Sequence, residues 1–522
     1  MNYQIFSDSE WLYPDMPVAE GGTREADLIS ARGADVCFQI LSDRALCGNE
    51  LLTASLEGIG ATLTVYQLLP AHVGENSSDK EFTTTDYERV KHFVTRRAPF
   101  DVYEITKPVA DGRLEAGRAA FFVRIDVPMD AESGVYKGML TLTVGEDRLQ
   151  IPLTLKICKT QMPPLSDARF HMVNWIYYED IAKQHGVEAW SKDYHRLLVA
   201  YLQNQLDMRN DYLMIPSGEP VRDESGRVID FDFSHAEYVG NLALSMGFSF
   251  VMGGFSVRFK VWNEKRLDLL WERTTDANSI EGYRQLKIYF ARAWECVQRN
   301  GWQERYFQCL EDEPQFQNSL EYRAISAICR KMMPGVRIHD PVESTELGGA
   351  VDVWVVKQAV YEKYLAEYRA LAQMGEEMWI YTCGFPAGKT MNRIIDLPLA
   401  ASRLPMWMCL KYGAKGFLHW GYHLHNSEGA EETCYLVDGN GLRFPAGNSF
   451  VVYVGEDGPI YSVRGHAQRS GAYDYELLSM LWERDSERTM ELIERLCRTF
   501  DDYESDVSLF ERTRRELLEL LG

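Results

Sequence analysis

Tyr306-Phe307-Gln308-Cys309-Leu310-Glu311-Asp312-Glu313-Pro314 is a short apolar run, strand-like in composition, that stops abruptly at three carboxylates and a proline. Crowded acids repel one another, and partial burial penalises their ionisation. Two readings follow. One is a solvated acidic turn after a strand. The other is a site in which an acid stands beside a stabilising anion, an arrangement that gives neighbouring carboxylates different roles.

Seven further runs of the same kind surround this one. They cover residues 170–175, 212–215, 248–252, 336–339, 351–356, 378–382 and 416–420, with 305–310 as the fourth of the eight. Helical stretches separate them, such as the amphipathic segment 194–206. Strands alternating with helices signal an α/β domain, and eight repeats over about 250 residues match a (β/α)₈ barrel. A doubly wound open sheet is the competing architecture, but no GxGxxG follows a first strand.

Upstream, the pattern is all-β. Residues 120–128, 139–144 and 149–157 alternate or are β-branched, with turn residues such as Gly134 and Gly138 between them. This predicts a β-sandwich over residues 1–160, without a catalytic constellation. Pro163 and Pro164 stiffen a linker at 159–164. The barrel is expected over 165–450. A C-terminal strand and helices, 451–522, either pack on the barrel or form a partner-binding tail. Ser508-Leu509-Phe510-Glu511 reads as a capping box opening the last helix. The fold class expected is thus multidomain: sandwich, TIM-like barrel, helical extension.

The net charge of −22 argues against nucleic-acid or anionic-membrane partners, which need a basic surface. No run approaches the length of a membrane span, and the N-terminus lacks a basic start followed by an apolar stretch. The ten cysteines are scattered singly, which fits a reducing cytoplasm. Twelve Trp and 28 Tyr suit carbohydrate binding, since sugar rings offer apolar C–H faces, and suit a large core equally. The sequence leaves the oligomeric state open.

In a barrel, catalytic groups sit at the C-terminal strand ends. That places Asp312 and Glu313 beside the central cavity, provided the strand ends or bulges there, because neighbours on a regular strand face opposite ways. Other candidate rim residues are Asn174 and Trp175, Arg209 and Asn210 just before the second strand, Asp340, Tyr381, Trp420 and Tyr422. His419, His423 and His425 match no strong zinc pattern and read as sugar contacts or rim packing, so neither a metal nor a cofactor is expected. GxSxG and GxxxxGK[ST] are both absent, and Cys309 reads as an apolar strand residue.

Leu310-Glu311-Asp312-Glu313-Pro314 resembles the Asp-Glu pair of glycoside hydrolase family 123. Gly458-Pro459, Ser462-Val463-Arg464 and Gly471-Ala472-Tyr473-Asp474-Tyr475-Glu476 resemble the C-terminal signature of domain of unknown function 4091. The sandwich phrase from Val127-Pro128 to Gly134-Val135-Tyr136-Lys137-Gly138 is similar to that family's N-terminal module. The resemblance implies an exo-acting, retaining β-N-acetylgalactosaminidase that uses substrate-assisted catalysis on an oligosaccharide or glycoconjugate. In that scheme Asp312 orients the 2-acetamido group and Glu313 is the acid and base. Glu311 leaves room for a one-residue shift in the assignment. The rivals are a glycosidase for a sugar lacking the acetamido group, pairing Glu313 with Asp340 or Glu343, and a non-catalytic carbohydrate-binding protein.

Overall fold

A computed structural model describes residues 2–109, 111–425, 433, 434, 436, 437 and 442–522. Part of the Gly- and Asn-rich stretch after Trp420 lies outside the described residues. No helix among the described residues is long and apolar enough to cross a membrane.

The first 160 residues form two facing sheets. The five-stranded antiparallel sheet runs Tyr3–Ser7, Asp35–Leu46, Gly117–Asp126, Thr62–Val73, Phe100–Pro108. The four-stranded sheet runs Ala26–Arg32, Asp147–Gln161, Gly134–Val144, Leu52–Glu57. Leu149, Ile151, Leu153, Leu155 and Ile157 alternate inward along one strand and meet Phe121, Val123 and Ile125 of the other sheet. The run Ala119-Ala120-Phe121-Phe122-Val123 does not alternate because its strand is buried on both faces. Its second face, with Ala120 and Phe122, packs against Ile395, Leu399, Val463 and Ala467. The sandwich is thus joined to the rest by an apolar interface. The linker is shorter than expected, because the strand Asp147–Gln161 continues its pairing with Arg32 up to Gln161.

All eight barrel strands lie where their apolar runs predict. They are β1 His171–Asn174, β2 Tyr212–Met214, β3 Phe250–Gly253, β4 Tyr306–Gln308, β5 Arg337–Val342, β6 Val353–Lys357, β7 Glu377–Thr382 and β8 Gly416–His419. They pair in parallel in the order β1-β8-β7-β6-β5-β4-β3-β2, a nearly closed ring. At the seam between β1 and β2, the Asp211 amide donates to Met172 O (3.2 Å) and its carboxylate accepts from Met172 N (3.1 Å). Val173, Tyr212, Met252, Phe307, Val353, Trp379 and Leu418 fill the interior. Gly416 makes room for this packing: a Cβ there would stand 2.3 Å from the Trp379 indole. One connection departs from the ideal pattern, because residues 343–352 link β5 to β6 without a helix.

Helix Val463–Arg484 follows β8 and is buried along most of its length. Two shorter helices, Ser486–Leu496 and Val507–Leu521, close the chain. The last of them touches the sandwich as well, where Thr160 Oγ1 donates to Leu521 O (3.0 Å). Its cap is Asp506, whose side chain accepts from Leu509 N (3.0 Å). The expected capping box at Ser508 is therefore corrected: Ser508 lies inside the first turn, and Glu511 accepts instead from Ser7 Oγ (2.6 Å).

The residues of the C-terminal signature hold these layers together. Ser462 caps the long helix, accepting from Gly465 N (3.0 Å). Arg464 is fully buried and meets Glu104 of the sandwich at 2.6 Å. Asp474 accepts from Arg403 (2.7 Å), Trp407 (3.1 Å) and Arg514 (2.9 Å). Glu476 accepts from the amides of Arg169 (2.8 Å) and Phe170 (3.1 Å), at the entrance to β1.

Candidate active site

Hydrogen-bonded strand β4 ends at Gln308, yet the chain continues beside β5 under the control of one buried acid. Asp340 accepts from Leu310 N with both oxygens (3.0 Å each) and from Tyr322 Oη (2.6 Å). Glu311, the first of the triplet, is fully buried, with Asn318 Nδ2 at 3.4 Å from one oxygen. Burial, then the charges of Asp340 and Asp312, hold its carboxyl well above the usual range.

The next two acids are the partly open ones, with side chains 20% (Asp312) and 16% (Glu313) exposed. They escape strand alternation because Glu313 adopts a left-handed backbone, φ 65°. A non-glycine residue there is strained, by on the order of 1–3 kcal/mol. Two backbone bonds across to the end of β5 hold it: Glu313 N to Pro341 O (3.1 Å) and Glu343 N to Pro314 O (3.0 Å). Strain retained beside charged groups in a barrel mouth points to function.

Glu313 faces β6 and β7. Tyr381 Oη donates to its carboxylate, and Lys357 Nζ lies 3.1 Å away. The same ammonium contacts Glu343. Burial works to lower the Lys357 pKa, but the surrounding Cys383, Glu313 and Glu343 outweigh it and hold the amine charged. Asp312 faces the other way, 3.6 Å from Arg258 in the segment after β3. Burial, then the neighbouring Glu313 charge, push the Asp312 carboxyl up to about 7 against the pull of Arg258 and Lys357. Asp312, beside the Glu313 charge, therefore keeps a proton near neutrality.

The structure sorts the sequence-predicted rim residues by strand face. Val173, Leu418 and Tyr381 share the barrel interior, as do Trp175 and Trp420 two positions on. Tyr177, Met214, Phe255 and Cys383 complete a partly exposed, largely aromatic basin beside Glu313. The Trp175 indole packs edge-on to Phe255 at 5.2 Å, and its Nε1 is buried without a partner.

The remaining predicted residues are brought elsewhere. Asn174 is in register with His419 and faces outward, where it bonds Asn210 (2.8 Å) and Arg393 (2.5 Å). Arg209 precedes β2, so it lies at the opposite barrel end, over the Tyr473 ring at 4.8 Å. Asp340 is occupied by the amides of Leu310 and Glu311, just after β4. Tyr422 is fully buried against helix Lys192–Asp207, donating to Asn204 Oδ1 (2.7 Å). The three histidines serve separate backbone groups: Gly421 N to His419 Nδ1 (3.0 Å), Tyr177 N to His423 Nε2 (3.0 Å), and His425 Nε2 with Val452 O (2.9 Å). No cluster of three or more metal-ligating side chains occurs among the described residues.

Sequence reading missed Lys357 and Arg258. Lys357 carried a usable signal, since it closes the apolar run of β6 with a charge as the acids close β4. Arg258 carried none, being one of four basic residues between Phe255 and Leu267.

The model of the glycoside hydrolase 123 catalytic domain matches residues 175–481. Among solved structures, a family 123 glycoside hydrolase from Clostridium perfringens, described in connection with glycolipid glycan hydrolysis, superposes with a TM-score of 0.75. The identity is 14%, over 99% of this chain and 97% of that one. An endo-β-1,4-mannanase from Thermotoga petrophila gives a TM-score of 0.37 at 12% identity, covering 60% of this chain and 78% of its own. A β-galactosidase from Marinomonas ef1 gives 0.39 at 11% identity, covering 63% and 62%. Neither of these two weaker resemblances bears on the site. No curated protein matches. With more than half of its length matched by the family model, and a mouth that presents paired acids above an aromatic basin, the chain belongs to glycoside hydrolase family 123.

Proposed function

We propose that the protein is an exo-acting, retaining β-N-acetylgalactosaminidase that uses substrate-assisted catalysis on short glycans in the cytoplasm. The observation that carries this reading is the pair of consecutive, partly open carboxylates Asp312 and Glu313, splayed by the left-handed turn at Glu313. The substrate's acetamido oxygen attacks the anomeric carbon as Glu313 gives its proton to the leaving oxygen. An oxazolinium ion results. Asp312 accepts the acetamido N–H and offsets the positive charge. Water then attacks the anomeric carbon, returning its proton to Glu313, and the oxazolinium ring reopens to the acetamide. No carboxylate nucleophile is required, unlike the usual two-carboxylate scheme.

The retained proton suits this chemistry, which needs one acid and one anion. In the resting site Lys357 favours ionised Glu313, so the proton rests on Asp312. A substrate N–H pointing at Asp312 favours the opposite arrangement and moves the proton to Glu313. Asp312 loses its proton as pH rises through about 7. kcat/KM is therefore expected to fall on the alkaline side of about pH 7. Asp312→Asn removes the group that titrates there, so this limb near pH 7 should be lost from a pH–rate profile.

The same shift affects stability. The folded pKa of Asp312 lies above its unfolded value, so the folded state binds the proton more tightly. Its contribution is full below pH 4 and is lost as pH rises to about 7. Asp312→Asn escapes this loss, so it should be more stable than wild type at pH 8, by about 2–4 kcal/mol, and close to it at pH 4. Denaturant titration at both pH values measures the difference.

The contact of Glu343 with the same ammonium as Glu313 favours a second reading, a two-carboxylate glycosidase for a sugar lacking the acetamido group. An oxazoline-mimicking thiazoline separates the two. Competitive inhibition at least a hundredfold tighter than by the parent sugar supports substrate assistance. Indifference to the thiazoline, with turnover of plain galactosides, supports the rival.

A further inference from the structure

The segment between β3 and β4 begins as a continuation of β3. Ser256 N and Val257 N both donate to Leu310 O (3.0 and 3.1 Å), just before the acidic triplet. Val257–Arg258, Asp268–Leu269 and Glu272–Asp276 then fold into a small three-stranded sheet. The loop between its first two strands reaches across the mouth. Arg258 approaches Asp312, and Asn263 N donates to the buried Gln315 Oε1 (2.8 Å), two residues beyond Glu313.

That anchorage presents Trp262. Its ring lies 5.4 Å from Lys357 Nζ, the ammonium that touches Glu313. It packs edge-on against Phe259 at 5.4 Å. Yet Trp262 remains 47% exposed, and its neighbour Val261 68%. An indole this open over the ammonium that touches Glu313 is unlike the core aromatics of this chain, three of whose tryptophans are fully buried.

The position relative to Glu313 sets its role. Tyr381 meets the Glu313 carboxylate from the barrel interior, where the aromatic basin lies. Lys357 is in register with Tyr381 and shares its face, with its Nζ 5.7 Å from the Tyr381 ring, and Trp262 covers that ammonium from the loop, the outer and more exposed side. The acid must stand at the bond being cleaved, between the terminal sugar and its leaving group. The interior basin therefore takes the terminal sugar, and the loop side faces the leaving group.

We infer that Trp262 is a specificity residue for the leaving group, stacking on the apolar C–H face of the sugar that is released. This rests on the glycosidase reading and adds the class of leaving group, a pyranose rather than a small or acyclic alcohol. Stacking of this kind is worth about five- to tenfold.

Two substrates with the same terminal sugar test it: a β-linked disaccharide and the corresponding glycosyl fluoride, whose leaving group has no ring. Trp262→Ala should raise KM and lower kcat/KM about five- to tenfold on the disaccharide, with the fluoride unchanged. Trp262→Phe should recover most of the loss. Equal losses on both substrates, or no loss on either, overturn the assignment while leaving the glycosidase reading intact. A wild type that cleaves neither substrate overturns that reading and this inference together.

Discussion

Glu313→Gln is expected to lower kcat/KM on a disaccharide by about 10³–10⁴-fold, the largest catalytic effect of any single change in this chain. Glutamine keeps the size and the left-handed backbone but cannot deliver a proton to the leaving oxygen. The loss therefore depends on how much the leaving group needs that proton. On an aryl glycoside with a good leaving group, formation of the oxazolinium proceeds without an acid, and much of the rate should survive. Hydrolysis of that intermediate still lacks its base, so azide, which needs none, should accelerate turnover and yield a glycosyl azide of retained configuration. Asp312→Asn should behave differently, slowing disaccharide and aryl substrates alike, since stabilisation of the oxazolinium is needed whatever departs. Parallel kcat/KM measurements on the two substrate types give the contrast. Equal losses for Glu313→Gln on both would remove it from the acid role. Wild-type rates for both variants would end the hydrolytic reading of the pair.

Much of the fold was legible because each barrel strand is a short, fully buried run closed by polar residues, and each of the eight runs marked a real strand. The mouth of the barrel was legible for the same reason, since acids stranded at the end of such a run have few structural uses. What the sequence could not show was which face each rim residue takes. The strands are only three to six residues long. Asn174 and Trp175 are neighbours on one strand end, and only the register with β8 shows that the tryptophan faces in and the asparagine out. Asp340 looked like a substrate ligand because an apolar run stops there, but the amides of Leu310 and Glu311 claim it. Trp262 was hidden by its setting, since it follows the alternating run Val257-Arg258-Phe259-Lys260-Val261 and reads as one more of its apolar residues. The C-terminal signature was legible as a family mark but not as structure, because Arg464, Asp474 and Glu476 serve contacts dozens to hundreds of positions away.

That signature supports the second large effect, on stability. Arg464 and Glu104 are both fully buried, and the guanidinium also donates to Arg393 O (2.5 Å) and Gly447 O (2.7 Å). Gly447 is left-handed (φ 77°), and a Cβ there would stand 2.4 Å from the guanidinium, so the loop closes on Arg464 only as glycine. Arg464→Leu leaves two carbonyls without donors and a carboxylate without its counter-charge, and breaking such a pair costs about 3–5 kcal/mol. Burial already raises the Glu104 pKa, and Arg464 opposes the rise. Without the arginine, the carboxyl protonates more readily. The unfolded state releases that proton first, so the variant should lose stability as pH increases. Its deficit against wild type should be smaller at pH 5 than at pH 8. Glu104→Gln in the Arg464→Leu background should then recover the pH-dependent part of that deficit at pH 8, whereas alone it should destabilise. Denaturant titration of the four proteins at both pH values gives the coupling directly. A pH-independent deficit, or additive losses, would mean that the pair merely fills space between sandwich and barrel.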